Sequence, residues 1–228
     1  MHPTVDFETR FRAHFGMIVV GPTCSGKSHF VFELIRRKAE MIDKPPQRIV
    51  YCYGEWQGAF GDLEKEVDEL SFVKGIDEMV NNDGFFDASK STLLVIDDLA
   101  AEVAGNPKVS KLFTQGIHHR NVSVILILQN LYKQGTAMRD IHLNNQYLVM
   151  FKNVRDVNQV KILARQMGLD HLPVAYKKVT EEKYQPIVID MKPDTPDYLR
   201  IRSHVLPGQM IRIYLPKTGI KLPPCRKE

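Results

Sequence analysis

The stretch VVGPTCSGKS, residues 19–28, sets the tightest limit on what this 228-residue chain can become. It matches the spacing G-x-x-x-x-G-K-[ST], with Gly21, Gly26, Lys27 and Ser28 at the fixed positions. Glycines let a backbone wrap an anion without side-chain clash. A helix beginning directly afterwards turns unpaired N–H groups and the positive end of its dipole toward that anion. Such a loop needs a buried strand before it and a helix after it. Phe15–Val20 reads as the strand, and Lys27–Met41 as the helix, with Phe30, Val31, Leu34 and Ile35 as its apolar stripe. The segment Gly21, Pro22, Thr23, Cys24, Ser25, Gly26, Lys27 and Ser28 is therefore expected to cradle the phosphates of ATP. Lys27 reaches the β- and γ-phosphates, and the Ser28 hydroxyl takes Mg²⁺. Cys24 reads as a small side chain at a tolerant position.

The remaining chain repeats this alternation. RIVYCY (48–53), STLLVID (91–97), VSVILIL (122–128), QYLVMF (146–151) and PIVID (186–190) read as further strands. DLEKEVDEL (62–70), 76–81, 107–119 with Pro107 in its first turn, and 156–167 closed by Gly168 read as helices. Near-continuous apolar strands alternating with helices predict an α/β fold: a mainly parallel sheet covered on both faces. Prolines 193, 196, 207, 216, 223 and 224 suggest that residues 191–228 form an extended arm on a core spanning 1–190.

Charge divides the chain in the same way. The net charge is +4, but residues 191–228 hold eight Lys/Arg against three Asp/Glu, a net +5, which leaves −1 for the first 190 residues. A basic segment on a near-neutral body suits a polyanion, or equally a solvated tail. No apolar run reaches membrane-spanning length, the N-terminus lacks an apolar signal region, and three cysteines at unrelated spacings give neither a disulfide framework nor a metal pair. The default expectation is an intracellular, reducing location without a membrane partner.

The strand LLVIDDL (93–99) ends in two aspartates. In a parallel sheet the C-terminal strand ends face the ligand crevice, so Asp97 is expected beside the phosphates, from a neighbouring strand, as a hard oxygen ligand for Mg²⁺. Asp98 is placed to orient or deprotonate a water, with Glu102 as the alternative base. Strands also end in aspartate at ordinary turns. The fourth strand ends in Gln129 and Asn130, amides suited either to sensing the γ-phosphate or to capping the strand.

Together GPTCSGKS, LLVIDDL and HHRNVSVILILQNLY (118–132) resemble the FtsK–HerA superfamily of P-loop ATPases. The resemblance is nearest to its poxvirus-type genome-packaging ATPases, found in large DNA viruses, virophages and Maverick/Polinton elements. CYGEWQ (52–57), LNNQYLVMFKNVRD (143–156) and DMKPDTPDYLRIRSHVLPG (190–208) look like the same branch, and the likeness spans roughly 15–208. It implies a RecA-like core that assembles into a homo-oligomeric ring, hydrolyses ATP between subunits and pumps double-stranded DNA into a preformed capsid. It also implies residence in the infected cell, in the cytoplasm, a viral factory or the nucleus, with transient contact at the capsid portal vertex. By position, Asp97 takes the metal role, Asp98 the catalytic-acid role and Gln129 the sensor role. Family members usually carry glutamate where this chain has Asp98. An arginine from a neighbouring subunit is implied, with Arg120 first and Arg139 and Arg155 after it. Lys74, Lys90, Lys133 and Gln134 are the DNA-contacting candidates. His118–His119 alone makes a poor zinc site.

Two other readings share the phosphate loop: a kinase of a nucleoside or small metabolite, which needs an acceptor pocket and an arginine-bearing lid, and a non-hydrolysing nucleotide switch. If the loop holds a nucleotide, bound ATP–Mg²⁺ slows alkylation of Cys24. Equal labelling with and without nucleotide contradicts the loop assignment.

Overall fold

The structure, a computed structural model, describes residues 9–82, 84–117, 120–131, 136–155 and 157–216. The expectations for His118, His119, Lys133 and Gln134, and for 217–228, lie outside the described residues.

In chain order the elements are β1 (Gly16–Val20), α1 (Lys27–Arg36), α2 (Lys38–Met41), β2 (Arg48–Tyr53), α3 (Gly58–Glu66), β3 (Leu70–Lys74), α4 (Asp77–Asn81) and β4 (Thr92–Asp97). There follow α5 (Ala100–Ala104), α6 (Pro107–Lys111) with a π-helical turn (Leu112–Gly116), β5 (Val122–Leu128), α7 (Thr136–Asn144) and β6 (Tyr147–Met150). Last come α8 (Val157–Met167), α9 (Leu172–Val179), β7 (Ile187–Asp190), a 3₁₀ turn (Asp197–Leu199), β8 (Ile201–Ser203) and β9 (Arg212–Ile213). The strands form one nine-stranded sheet in the order β3-β2-β4-β5-β1-β6-β7-β8-β9. The pairs from β3 through β6 are parallel, and the three pairs from β6 to β9 are antiparallel.

Period-2 alternation sends successive strand residues to two separate cores. Met17 and Val19 of β1 face a layer built by α1, α2 and α3, with Phe30, Val31, Leu34, Ile35 and Phe60. Ile18 and Val20 face the opposite layer, built by α4 to α9, with Met79, Val103, Val109, Met138, Val160 and Tyr176. The seven residues of β5 are buried throughout, which suits its place inside the sheet between β4 and β1. None of the helices in the described residues is long and apolar enough to cross a membrane.

The expected mainly parallel α/β sheet is present, and three local differences have physical causes. First, β3 occupies residues that the helical pattern of 62–70 runs into: α3 stops at Glu66, and Leu70 pairs with Ile49 in register. Second, β4 is not the immediate neighbour of β1, because the wholly apolar β5 lies between them. Third, the segment expected as an arm from 191 onward contributes β8 and β9 within its described part.

That antiparallel rim consumes several charges of the basic segment. Arg202 is only 2% exposed and Asp190 4%, and their side chains pair at 3.3 Å. Arg202 also donates to the Thr9 carbonyl at 3.1 Å, and Asp190 accepts from Thr195 Oγ1 at 2.9 Å. Lys192 donates to the Arg12 carbonyl, Arg12 pairs with Asp194, and Arg212 pairs with Glu182. Arg202 thus joins β8 to β7 and to the N-terminal segment and is withdrawn from solvent, whereas Arg12 and Arg212 sit in partly exposed pairs.

Removing one partner of a buried ion pair strands the other charge, which costs about 3–5 kcal/mol. Asp190→Ala is therefore expected to lower unfolding free energy by that order in chemical denaturation, and Asp190→Leu with Arg202→Met to recover most of the loss. A parent-like midpoint for Asp190→Ala contradicts the assignment.

Candidate functional site

Parallel pairing puts the C-terminal ends of β1, β4, β5 and β6 on one edge of the sheet. Val20 is level with Leu128 of β5 and Met150 of β6, and Asp97 is level with Ile127. The loop 21–26 leaves β1 at this edge and enters α1.

The loop's two fixed glycines have distinct steric reasons. A Cβ on Gly21 would stand 2.7 Å from both Phe151 Cβ and Ser25 Oγ. Gly26 precedes α1 with φ +104°, in the left-handed region that favours glycine. Cys24 also has positive φ, +60°, and is exposed. Lys27 Nζ folds back to donate to the Pro22 carbonyl at 2.8 Å, and the Ser25 N–H donates to the same carbonyl at 3.3 Å. Ser25 Oγ is buried with no hydrogen-bond partner among the described residues.

A cavity of about 940 Å³ opens beside this loop. Thr23, Cys24, Lys27 and Ser28 line it from the loop and α1, Asp97 and Asp98 from the end of β4, Gln129 and Asn130 from the end of β5, and Glu102 from α5. Gln57, just before α3, closes it from the β2 side. The residues singled out from the phosphate loop, the acidic pair and the amide pair thus meet in one place.

The two aspartates are unlike. Asp97 is buried, at 7% exposure, and accepts a hydrogen bond from Tyr51 Oη at 2.7 Å. Burial pushes its carboxyl above the ordinary range, the Tyr51 bond opposes that, Asp98 adds to it, and Lys27 opposes it. Tyr51 itself is held far above the usual phenol value, by burial first and then by the charge of Asp97 and their hydrogen bond, so it serves as a fixed donor. Burial pulls Lys27 below its ordinary value, against the attraction of Asp97 first, then Cys24 and Asp98. Asp98 is exposed to the cavity and sits at φ +57°, in the left-handed region that aspartate enters more readily than most residues other than glycine. Gly54 makes room for that turn: a Cβ there would lie 3.1 Å from the Asp98 carbonyl oxygen.

The Ser28 hydroxyl and the Asp97 carboxylate are hard oxygen donors on one cavity. They suit Mg²⁺ held by few protein ligands and completed by phosphate and water. Asn130 is partly committed, since its amide oxygen accepts from Gln159 Nε2 of α8 at 2.9 Å, whereas Gln129 lines the cavity beside it.

The three arginines lie apart from the cavity lining. Arg120 is exposed at the N-terminal end of β5, at the opposite edge of the sheet. Arg139 is exposed on α7. Arg155 is exposed on the loop after β6, at the same edge as the cavity, in a turn where Asn153 Oδ1 accepts from its N–H at 3.1 Å. Lys74 ends β3 at the cavity edge, and Lys90 precedes β4 at the other. Sequence reasoning missed Tyr51 and Gln57. Tyr51 carries no local signal within RIVYCY, while Gln57 closes the CYGEWQ stretch.

No protein-family model matches the chain, and no curated protein matches it by sequence. Solved structures do match its fold. B204, the DNA-packaging ATPase of Sulfolobus turreted icosahedral virus, superposes with a TM-score of 0.56 at 14% identity, over 91% of this chain and 100% of that one. The genome-packaging NTPase B204 of Sulfolobus turreted icosahedral virus 2, in complex with ATPγS, gives 0.52 at 15%, over 89% and 97%. The flagellar accessory protein FlaH of Methanocaldococcus jannaschii gives 0.50 at 10%, over 89% and 90%. At such identities the likeness establishes the fold, a RecA-like P-loop core.

Proposed function

We propose that this chain is an ATPase of the FtsK–HerA type that works as a homo-oligomeric ring. In this reading it uses ATP hydrolysis to drive double-stranded DNA into a preformed viral capsid. The observation that carries the reading is the single cavity shared by Lys27, Ser28, Asp97, Asp98 and Gln129. The fold shared with B204, itself a DNA-packaging ATPase, supports the choice of task.

The phosphate loop binds the triphosphate through backbone N–H groups and the α1 dipole. Lys27 leaves the Pro22 carbonyl to meet the β- and γ-phosphates, exchanging a neutral acceptor for an ionic one. Mg²⁺, held by Ser28 and Asp97, supplies neutralisation of phosphate charge when bound. Tyr51 keeps the Asp97 carboxylate aimed at the cavity. Asp98, exposed on the same strand end, accepts the proton of the attacking water, and Gln129 orients that water or the γ-phosphate. The acidic pair and the amide-ended strand favour water over a metabolite hydroxyl as the acceptor.

No arginine of the same chain lines the cavity among the described residues. A neighbouring subunit supplies one to stabilise charge on the transferring phosphate. Arg120, Arg139 and Arg155 are the candidates, all exposed. Docking at a capsid portal vertex and contact with the DNA backbone belong to the assembled ring.

ATP turnover by the full-length protein is expected to rise with double-stranded DNA and to climb steeply with protein concentration. Turnover indifferent to both overturns the motor reading. Lys27→Ala and Asp97→Asn are expected to reduce turnover by at least about a hundredfold, and Asp98→Asn by roughly 10²–10⁴-fold with nucleotide binding kept. Parent-like turnover in Asp98→Asn transfers the base role to Glu102. The arginine that acts across the interface is the one whose alanine variant, inactive alone, regains turnover when mixed with Asp97→Asn chains; failure of all three to complement removes all three.

A further inference from the structure

The metal and water ligands lie on one side of the phosphate loop, toward β4 and β5. A nucleotide whose γ-phosphate reaches Asp97 must carry its nucleoside away on the other side, toward β6 and β7. Two aromatic rings stand there against Gly26. Phe151 is buried beneath the loop, 3.2 Å from the position of a Cβ on Gly26. Tyr184, from the turn before β7, is 56% exposed, with its Cβ and Cδ1 3.4 and 3.5 Å from that same position. Of these two, Tyr184 is the one whose ring is exposed to an incoming ligand.

Tyr184 is also held where a tyrosine does not settle by default. Its φ is +63°, an outlier for a bulky aromatic residue, and such strain persists only where surrounding structure imposes it. The imposing contacts run through Glu182. Its carboxylate meets His204 Nε2 at 2.8 Å and pairs with Arg212, its N–H donates to the Val179 carbonyl at 3.2 Å, and its own carbonyl accepts from the Gln185 N–H at 3.4 Å. The turn is thus fastened to α9, to the residue after β8 and to β9. Lys183 Nζ lies 4.9 Å from the centre of the Tyr184 ring.

We infer that Tyr184 is the platform on which the nucleobase stacks, a specificity element of the nucleotide site proposed above and dependent on that proposal. Stacking on a phenol ring reads the π-face that every base has, so it favours nucleotides over bare polyphosphates without choosing among bases. The phosphate loop grips the triphosphate, and the strained turn grips the other end.

The test is equilibrium binding of ATP, GTP and inorganic tripolyphosphate, each with Mg²⁺, to the full-length parent, Tyr184→Ala and Tyr184→Phe. The alanine variant is expected to bind ATP and GTP about tenfold or more weakly, and tripolyphosphate within about twofold of the parent. The phenylalanine variant, which keeps the ring, stays within about twofold for all three. Parent-like ATP affinity in Tyr184→Ala, or a loss for tripolyphosphate as large as that for ATP, overturns the inference and leaves the phosphate loop standing. A parent protein that binds none of the three overturns the phosphate loop, and the stacking platform with it.

Discussion

The register of the parallel strands governs everything else in this molecule. Val19 is level with Ile127 and Ile127 with Asp97, so three strand ends finish within about one residue of each other. A slip of one residue in β4 would move Asp97 by about 3.3 Å and turn it to the other face of the sheet. The register resists such a slip because both faces of these strands are buried: each displaced side chain would enter the wrong core. The placement of Asp97, Asp98 and Gln129 is therefore inherited from apolar packing, and the cavity adds only short loops to a scaffold that is already fixed.

The consecutive aspartates show how one backbone step separates two chemical environments. Asp97 still belongs to the strand, is buried, and is tied to Tyr51 on the adjacent β2. Asp98 has already left it, in a left-handed turn made possible by Gly54. A buried carboxylate with a fixed donor suits steady coordination, and an exposed one on a left-handed turn suits proton traffic. The methylene by which Asp98 is shorter than glutamate matters less where the backbone itself projects the group into the cavity.

Much of this was legible in the residues. The phosphate loop declares itself by spacing, and β1, β4 and β5 by unbroken apolar runs, because those strands are buried on both faces. The rims were not legible. β3 has mixed burial on an edge and follows directly on a helical pattern, so nothing marks where one period gives way to the other. β8 carries Arg202, a residue read by default as solvent-facing, and only its distant partners Asp190 and Thr9 explain its burial. The place of β5 between β1 and β4 likewise depends on pairings between remote segments. In the candidate site the difference is the same: Lys27, Asp97 and Gln129 lie in recognisable strings, while Tyr51 contributes through a neighbour 46 positions away.

The antiparallel rim has a mechanical consequence. Residues 9–12 are fastened on one flank to Met41 and Asp43 and on the other to Lys192, Asp194, Thr195 and Arg202 through ionic and hydrogen bonds. Tension arriving from the N-terminal direction is shared by that lock and by the stub of α2 before it reaches β1. Load on that end is thus met by the rim before the edge that carries the cavity.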